Sequence, residues 1–196
     1  MKKIFLTLTI LFLTFSNKTI ADTANSIQQI YEGNKDAKVT IITYESLTCG
    51  HCADFHKNVY PKLKKEFIDT GLVKIEFRHF PLDMAALNAS KIAQCNNDGK
   101  SDLLHFLFSN QKKWAIGQSV EAANENLKKL LKDENINIDF EKCTNNKVIE
   151  DYVLNNRIEG VKKFKVNATP TIIINNKKFD KTLNYKNLKK FIEKLI

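Results

Sequence analysis

Apolar and polar positions follow two rhythms along this chain. Lys38–Tyr44 is a β-branched run that predicts a buried strand. From Gly50 to about Asp69, Cys52, Phe55, Val59, Leu63 and Phe67 recur at spacings of three and four, the signature of a helix burying one face. Pro61 lies inside that pattern and should kink the helix, because it has no N–H to donate. Thr70-Gly71 closes the helix and reverses the chain. Leu72–Phe80 then places Val73, Ile75 and Phe77 between Lys74, Glu76 and Arg78, a second strand. Two strands bracketing a helix form a βαβ unit, normally with a parallel pair.

The character changes from Pro81 to about Phe164, where only helical spacing recurs. Residues 83–97 place Ala85, Ala89, Ile92 and Ala93 on one face and break at Asn96-Asn97-Asp98-Gly99. Asp102–Trp114 carries Leu103, Leu104, Leu107 and Phe108 on one stripe and is expected to be a single helix. Ser119 can cap a helix holding Val120, Ala123, Leu127, Leu130 and Leu131. Asp139 caps a short helix with Phe140 and Cys143, and a longer helix follows with Val148, Tyr152 and Val153 inward. Strand character resumes at Thr169–Asn175, turns at Asn175-Asn176 and returns over Lys177–Asp180. A last helix, Asn184–Ile196, turns Leu188, Phe191, Ile192 and Leu195 inward. Residues 22–37 read as a lead-in segment. The pattern describes an α/β frame interrupted by an all-helical block, with no internal repeat.

Composition adds a destination. Lys2 and Lys3 precede an apolar run from Ile4 to Phe15, shorter than the roughly 20 residues that cross a bilayer. Thr19 and Ala21 then stand where a signal peptidase reads, so residues 1–21 are expected to be a cleaved secretory signal. The predicted location is the periplasm. Losing Lys2, Lys3 and Lys18 with that segment lowers the net charge of +9 by three. The remaining excess is thinly spread, with no block of like charge and no basic-aromatic cluster, so nucleic acid is not an expected partner.

Export gives the four cysteines, Cys49, Cys52, Cys95 and Cys143, a compartment that permits disulfides. Four cysteines allow three pairings. Cys49 with Cys52 is the local one, and it leaves Cys95 with Cys143. Cys49-Gly50-His51-Cys52 follows a strand and opens a helix, the setting in which Cys-x-x-Cys reads as a redox centre. Unpaired N–H groups at a helix start favour negative charge. The first thiol is therefore expected to ionise easily, and His51 can add a positive charge or a donor. A stabilised thiolate is also a good leaving group, so the disulfide should be readily attacked and passed on.

Strand, Cys-x-x-Cys, helix with an internal proline, strand, helical block and then Val166-Asn167-Ala168-Thr169-Pro170-Thr171 opening a strand: this order resembles the DsbA family. The resemblance implies a thioredoxin-like α/β fold with an all-helical insertion. It places the thioredoxin-like part at 22–82 and 165–196 and the insertion at 83–164. It implies that Cys49 attacks, that Cys52 resolves the mixed disulfide, and that Gly50 and His51 tune the potential. It makes Pro170 a cis-proline, with Thr169 before it contributing main chain to substrate binding, and makes Cys95–Cys143 a second, structural disulfide. It implies disulfide donation to exported cysteine-containing proteins, reoxidation by a quinone-linked membrane protein of the DsbB type, a monomer, and no organic cofactor or metal.

Two other readings compete. Gly50-His51, rather than Pro-His, and Thr169 before Pro170 are similar to the disulfide isomerases and reductases of the DsbC and DsbG kind. Those carry a long N-terminal dimerisation domain, and only 22–37 precede the first strand here. A zinc module using the cysteines with His51 or His56 would normally show two close pairs of ligands, whereas Cys95 and Cys143 are solitary. Glu45, four residues before Cys49, is either a surface carboxylate or a modulator of proton transfer at Cys52. His56, His79 and His105 are expected to be structural, and Trp114 to be core or an inter-domain contact.

Overall fold

The computed structural model describes residues 27–117 and 119–196; the expected signal at 1–21 lies outside them. The first strand, β1 (Tyr31–Glu32), falls inside what the sequence offered only as a lead-in, too short to leave a periodic trace. Next come β2 (Val39–Glu45) and α1 (Gly50–Asn58). Pro61 interrupts the following helix as expected: α1 ends, Val59 departs from helical φ, and α2 (Tyr60–Leu63) restarts with the proline in its first turn. A wide turn, Lys64–Ile68, closes it, with Asp69 N–H reaching back to Lys64 O at 2.9 Å. Gly71, at φ +77, reverses the chain into β3 (Val73–His79).

Six helices separate β3 from the next strand. They are α3 (Met84–Gln94), α4 (Asp102–Ser109), α5 (Gln111–Trp114), α6 (Val120–Asp133), α7 (Phe140–Thr144) and α8 (Lys147–Phe164). Ser119 and Asp139 cap as the sequence indicated, accepting from Ala122 N–H and Lys142 N–H. The single helix expected over 102–114 is two, because Asn110 leaves helical geometry and turns its side-chain amide back to Phe106 O at 3.0 Å. The chain ends with β4 (Thr171–Ile174), β5 (Lys177–Lys178) and α9 (Tyr185–Ile192). Asn175 and Asn176, at φ 45 and 64, make the tight turn between β4 and β5.

The strands form one mixed sheet, ordered β1-β3-β2-β4-β5. β2 and β3 are parallel, in register Val39↔Val73 to Glu45↔His79, and the other pairs are antiparallel. One face of β3 buries Val73, Ile75, Phe77 and His79 in the main core with α1, α2 and α9. On the other face Arg78 binds Glu76 at 2.8 Å and Glu159 of α8 at 3.4 Å. There α8 lies close over β2: a methyl group at Gly160 would come within 2.7 Å of the Tyr44 ring. Tyr44, Phe80, Phe164, Val166 and Ile173 form a second small core under that crossing. Trp114 is wholly buried and donates its ring N–H to Leu107 O.

Cys95 ends α3, Cys143 lies in α7, and the two form a disulfide with Cα atoms 5.6 Å apart. The loop it closes spans 48 residues. The Cys95→Ala/Cys143→Ala protein should therefore lose up to about 4 kcal/mol in denaturant unfolding. Gly160→Ala should also destabilise, by about 1 kcal/mol or more, because overpacking against Tyr44 outweighs the better helix propensity of alanine.

Candidate active site

The parallel strand β2 ends at Glu45, and the chain turns over Ser46–Thr48 before α1 begins. Ser46 O accepts from Cys49 N–H at 3.0 Å, and Cys49 O accepts from Cys52 and Ala53 N–H at 3.1 and 3.2 Å. Cys49 is thus the N-cap of α1, with extended φ and ψ and its side chain beyond the first turn. Cys52, one turn on, is buried. Both thiols are free.

The helical segment holds this turn from two directions. Gln111 of α5 donates its side-chain amide to Leu47 O at 2.8 Å and to Cys49 O at 3.0 Å. Thr48 Oγ1 donates to Asp83 Oδ2 at 2.7 Å, while Asp83 Oδ1 caps α3 through Ala86 N–H. Nothing in the sequence around Gln111 marked it, because its partners are carbonyls more than sixty residues away. On the remaining side lies the cis Thr169–Pro170 bond. Thr169 O accepts from Cys49 Sγ at 3.3 Å in the thiol form.

The two sulfurs have opposite electrostatics. The Cys49 thiol is lowered to about 5, first by a hydrogen bond from Cys52 Sγ–H, against an opposing effect of burial, then by Thr169 and the backbone N–H groups of Cys52 and His51. The Thr169 hydroxyl is buried and has no other partner, so it can turn to donate once Cys49 is a thiolate and no longer binds Thr169 O. His51 acts here through its backbone, its ring being exposed. Gly50 is exposed too, with no atom within 4 Å of an added Cβ, so packing does not demand glycine there. The Cys52 thiol is pushed far up by burial, by its hydrogen bond to Cys49 and by the charge of Glu45.

Glu45 is no surface carboxylate. It is buried at the end of β2 and binds His56 Nε2 at 2.9 Å through Oε2. His56 is buried on α1, behind Cys52. His105 pairs with His56 and with Glu32 rather than packing among apolar groups alone. Burial lowers His79 to about 4, so it stays neutral beside Gln94. Among the described residues no group of His, Cys, Asp and Glu is arranged to hold a metal.

Cys52→Ala removes the largest stabiliser of the thiolate, so the Cys49 titration followed by thiolate absorbance should move from about 5 toward the ordinary value near 9. In the reduced protein, the unfolded chain keeps the Cys49 proton up to about pH 9 and the folded chain only to about 5. Stability relative to Cys49→Ser should therefore rise between those values and be lost on acidification through the lower one, as pH-dependent unfolding would measure.

Comparison with known proteins agrees with this geometry. The family model described as thioredoxin matches residues 25–194. A putative protein-disulfide oxidoreductase of Rickettsia bellii is 35% identical over 117 residues, covering 53% of this chain and 45% of that protein. The chain therefore spans about half the length of the Rickettsia relatives. Disulfide bond formation protein D of Bacillus subtilis is 30% identical, covering 83% of this chain and 74% of that one. Among solved structures, Wolbachia pipientis alpha-DsbA1 superposes with a TM-score of 0.74 at 29% identity, covering 88% of this chain and 95% of that one. Oxidised BdbD of Bacillus subtilis gives 0.64 at 26% identity, covering 85% and 91%. With a cysteine pair at the head of α1, a cis-proline beside it and helices between β3 and β4, the chain belongs to the thioredoxin family and has DsbA proteins as its structural neighbours.

Proposed function

We propose that this protein is a thiol–disulfide oxidoreductase that donates the Cys49–Cys52 disulfide to exported cysteine-containing proteins. The observation that carries the reading is the asymmetry of the two sulfurs: Cys49 half-exposed and lowered to about 5, Cys52 buried and pushed far up. A substrate thiolate attacks Cys49 Sγ, the only sulfur of the pair it can reach. The Cys49–Cys52 bond breaks, its electron pair goes to Cys52, and burial favours protonation there. The second substrate thiolate then attacks the substrate sulfur of the mixed disulfide. Cys49 leaves as a stabilised thiolate, which drives the transfer to completion. Thr169 and Pro170 bind the substrate backbone beside Cys49, a role supported by the approach of Thr169 O to Cys49 Sγ.

The compartment we assign is the periplasm. Lys2, Lys3 and the apolar run Ile4–Phe15 support export, as does the Cys95–Cys143 disulfide. Among the described residues no helix is long and apolar enough to cross a membrane. A quinone-linked membrane protein of the DsbB type would reoxidise the pair, and we expect a monomer. Gly50-His51 keeps isomerase or reductase activity as the second reading.

Two measurements separate these readings. Oxidised protein should restore disulfides to reduced ribonuclease stoichiometrically, whereas Cys49→Ser should not. Equilibration with glutathione should give an oxidising potential. Reshuffling of scrambled ribonuclease well above simple oxidation, or a strongly reducing potential, would favour the second reading.

A further inference from the structure

A groove of about 940 Å³ runs along α1 between the sheet-covering helices and the helical segment. One wall is a stripe of α1 and α2, where Gly50, Ala53, Asp54, Lys57 and Pro61 recur at helical spacing. The facing wall comes from α4 and α5, with Phe106, Ser109, Lys112 and Lys113. Its floor is aromatic: His56 stacks on Phe108 with ring centroids 4.0 Å apart, and Tyr60 lies at the far end. The sheet shows which side of α1 this is. β4, which follows Thr169 and Pro170, lies on one side of β2. β1, whose Glu32 binds His105 of the groove wall at 2.7 Å, lies on the other. The groove and the cis-proline therefore flank α1 from opposite sides.

Length and charge say what fits there. From Cys49 to Pro61 the helical path rises about 18 Å, at roughly 1.5 Å per residue. An extended chain covers that distance in about five residues, at roughly 3.3 Å each. The passage from the cysteine pair is open, since Gly50 is exposed with no atom within 4 Å of an added Cβ. That end of the groove is also positive. Lys57, Lys112 and Lys113 are exposed and join no ion pair among the described residues. Lys112 and Lys113 follow Gln111, which holds Cys49 O, so their charge lies beside the cysteines. Of the two aspartates in the groove only Asp54 shares this end, because Asp102 heads α4 at the other.

We propose that this groove takes the segment flanking the substrate cysteine, and that it selects one that is extended, acidic next to the cysteine and apolar beyond it. This rests on the function proposed above. With its cysteine at Cys49, the segment crosses the head of α1 over Gly50, where a larger residue would stand in its path. Its carboxylate meets Lys112 and Lys57, and a large apolar side chain two or three residues on lies between Phe106 and the stacked His56 and Phe108. The lysines fix the register and speed encounter, while burial of the apolar side chain supplies most of the affinity. The helical segment thereby becomes the specificity wall of the site, and Lys57, Lys112 and Phe106 the residues that set it.

Two short peptides with a central cysteine test this, one with aspartates beside the cysteine and phenylalanines beyond, the other with lysines and serines in those places. Per peptide thiolate, the first should attack the oxidised wild-type protein about tenfold faster or more. Lys57→Glu/Lys112→Glu should abolish or reverse that preference, and Ser109→Trp, which fills the groove, should shrink it. The preference is a ratio within one protein, so a general change in activity cancels. Equal rates in the wild type, or a preference that survives the charge reversal, overturn the proposal. Binding is read separately with the acidic peptide carrying serine for its cysteine. Amide shifts at Phe106, Ser109 and Lys112 are expected. Shifts confined to the Thr169 side overturn the proposal, as does binding of anionic vesicles or of a second copy through these lysines without any binding of the peptide. That measurement needs no thiol exchange, so a Cys49 that titrates as an ordinary thiol would remove the proposed function while the shifts still decide the groove.

Discussion

A negative charge on Cys49 Sγ, held by the Cys52 thiol and the N–H groups of one helical turn, is the interaction that everything else serves. Such a charge is stable only while its donors stay aimed at it. The Cys49–Cys52 turn is short and would not hold its shape alone. Gln111 ties its carbonyls to α5, Thr48 ties it to Asp83 at the head of α3, and Cys49 N–H ties it to Ser46. Two of these three restraints come from the helices between β3 and β4, so that segment does more than cover the sheet.

Burial then divides the two sulfurs. The same turn that exposes Cys49 drives Cys52 into the main core beside Leu47, Phe55 and Leu63. A sulfur buried there prefers its proton, and a buried thiol is what Cys49 needs as a donor. The asymmetry is therefore self-reinforcing: burying Cys52 lowers Cys49, and charging Cys49 keeps the Cys52 proton in place. A carboxylate at Glu45 adds to it from behind.

That carboxylate explains why the core beneath the site is polar. Glu45, His56, His105 and Glu32 bond to one another in line, against the aromatic rings of Phe77, Phe108 and Tyr60. Unpaired, each would cost more to bury than an apolar side chain contributes. Four such groups in one continuous line form an unusual core, and it begins where the chemistry ends.

Much of this was legible in the chain itself. The alternation in Leu72–Phe80, the helical spacing from Cys52 to Phe67, the caps at Ser119 and Asp139 and the break at Pro61 are local patterns, each decided within a turn or two of backbone. Cys49 at a helix start is local as well, so its ionisation could be argued before any fold was seen. Other features needed distant segments to meet. Tyr31–Glu32 is a strand only because β3 offers it partners, and Asp102–Trp114 splits at Asn110 through a side-chain bond that periodicity does not register. Gln111 matters because α5 folds against a loop more than sixty residues earlier. Spacing alone made Glu45 as much a surface acid as a buried one, and only the β2–β3 register with α1 across it put that carboxylate against His56. Periodicity and capping are properties of neighbours in sequence, whereas burial and charge pairing belong to neighbours in space.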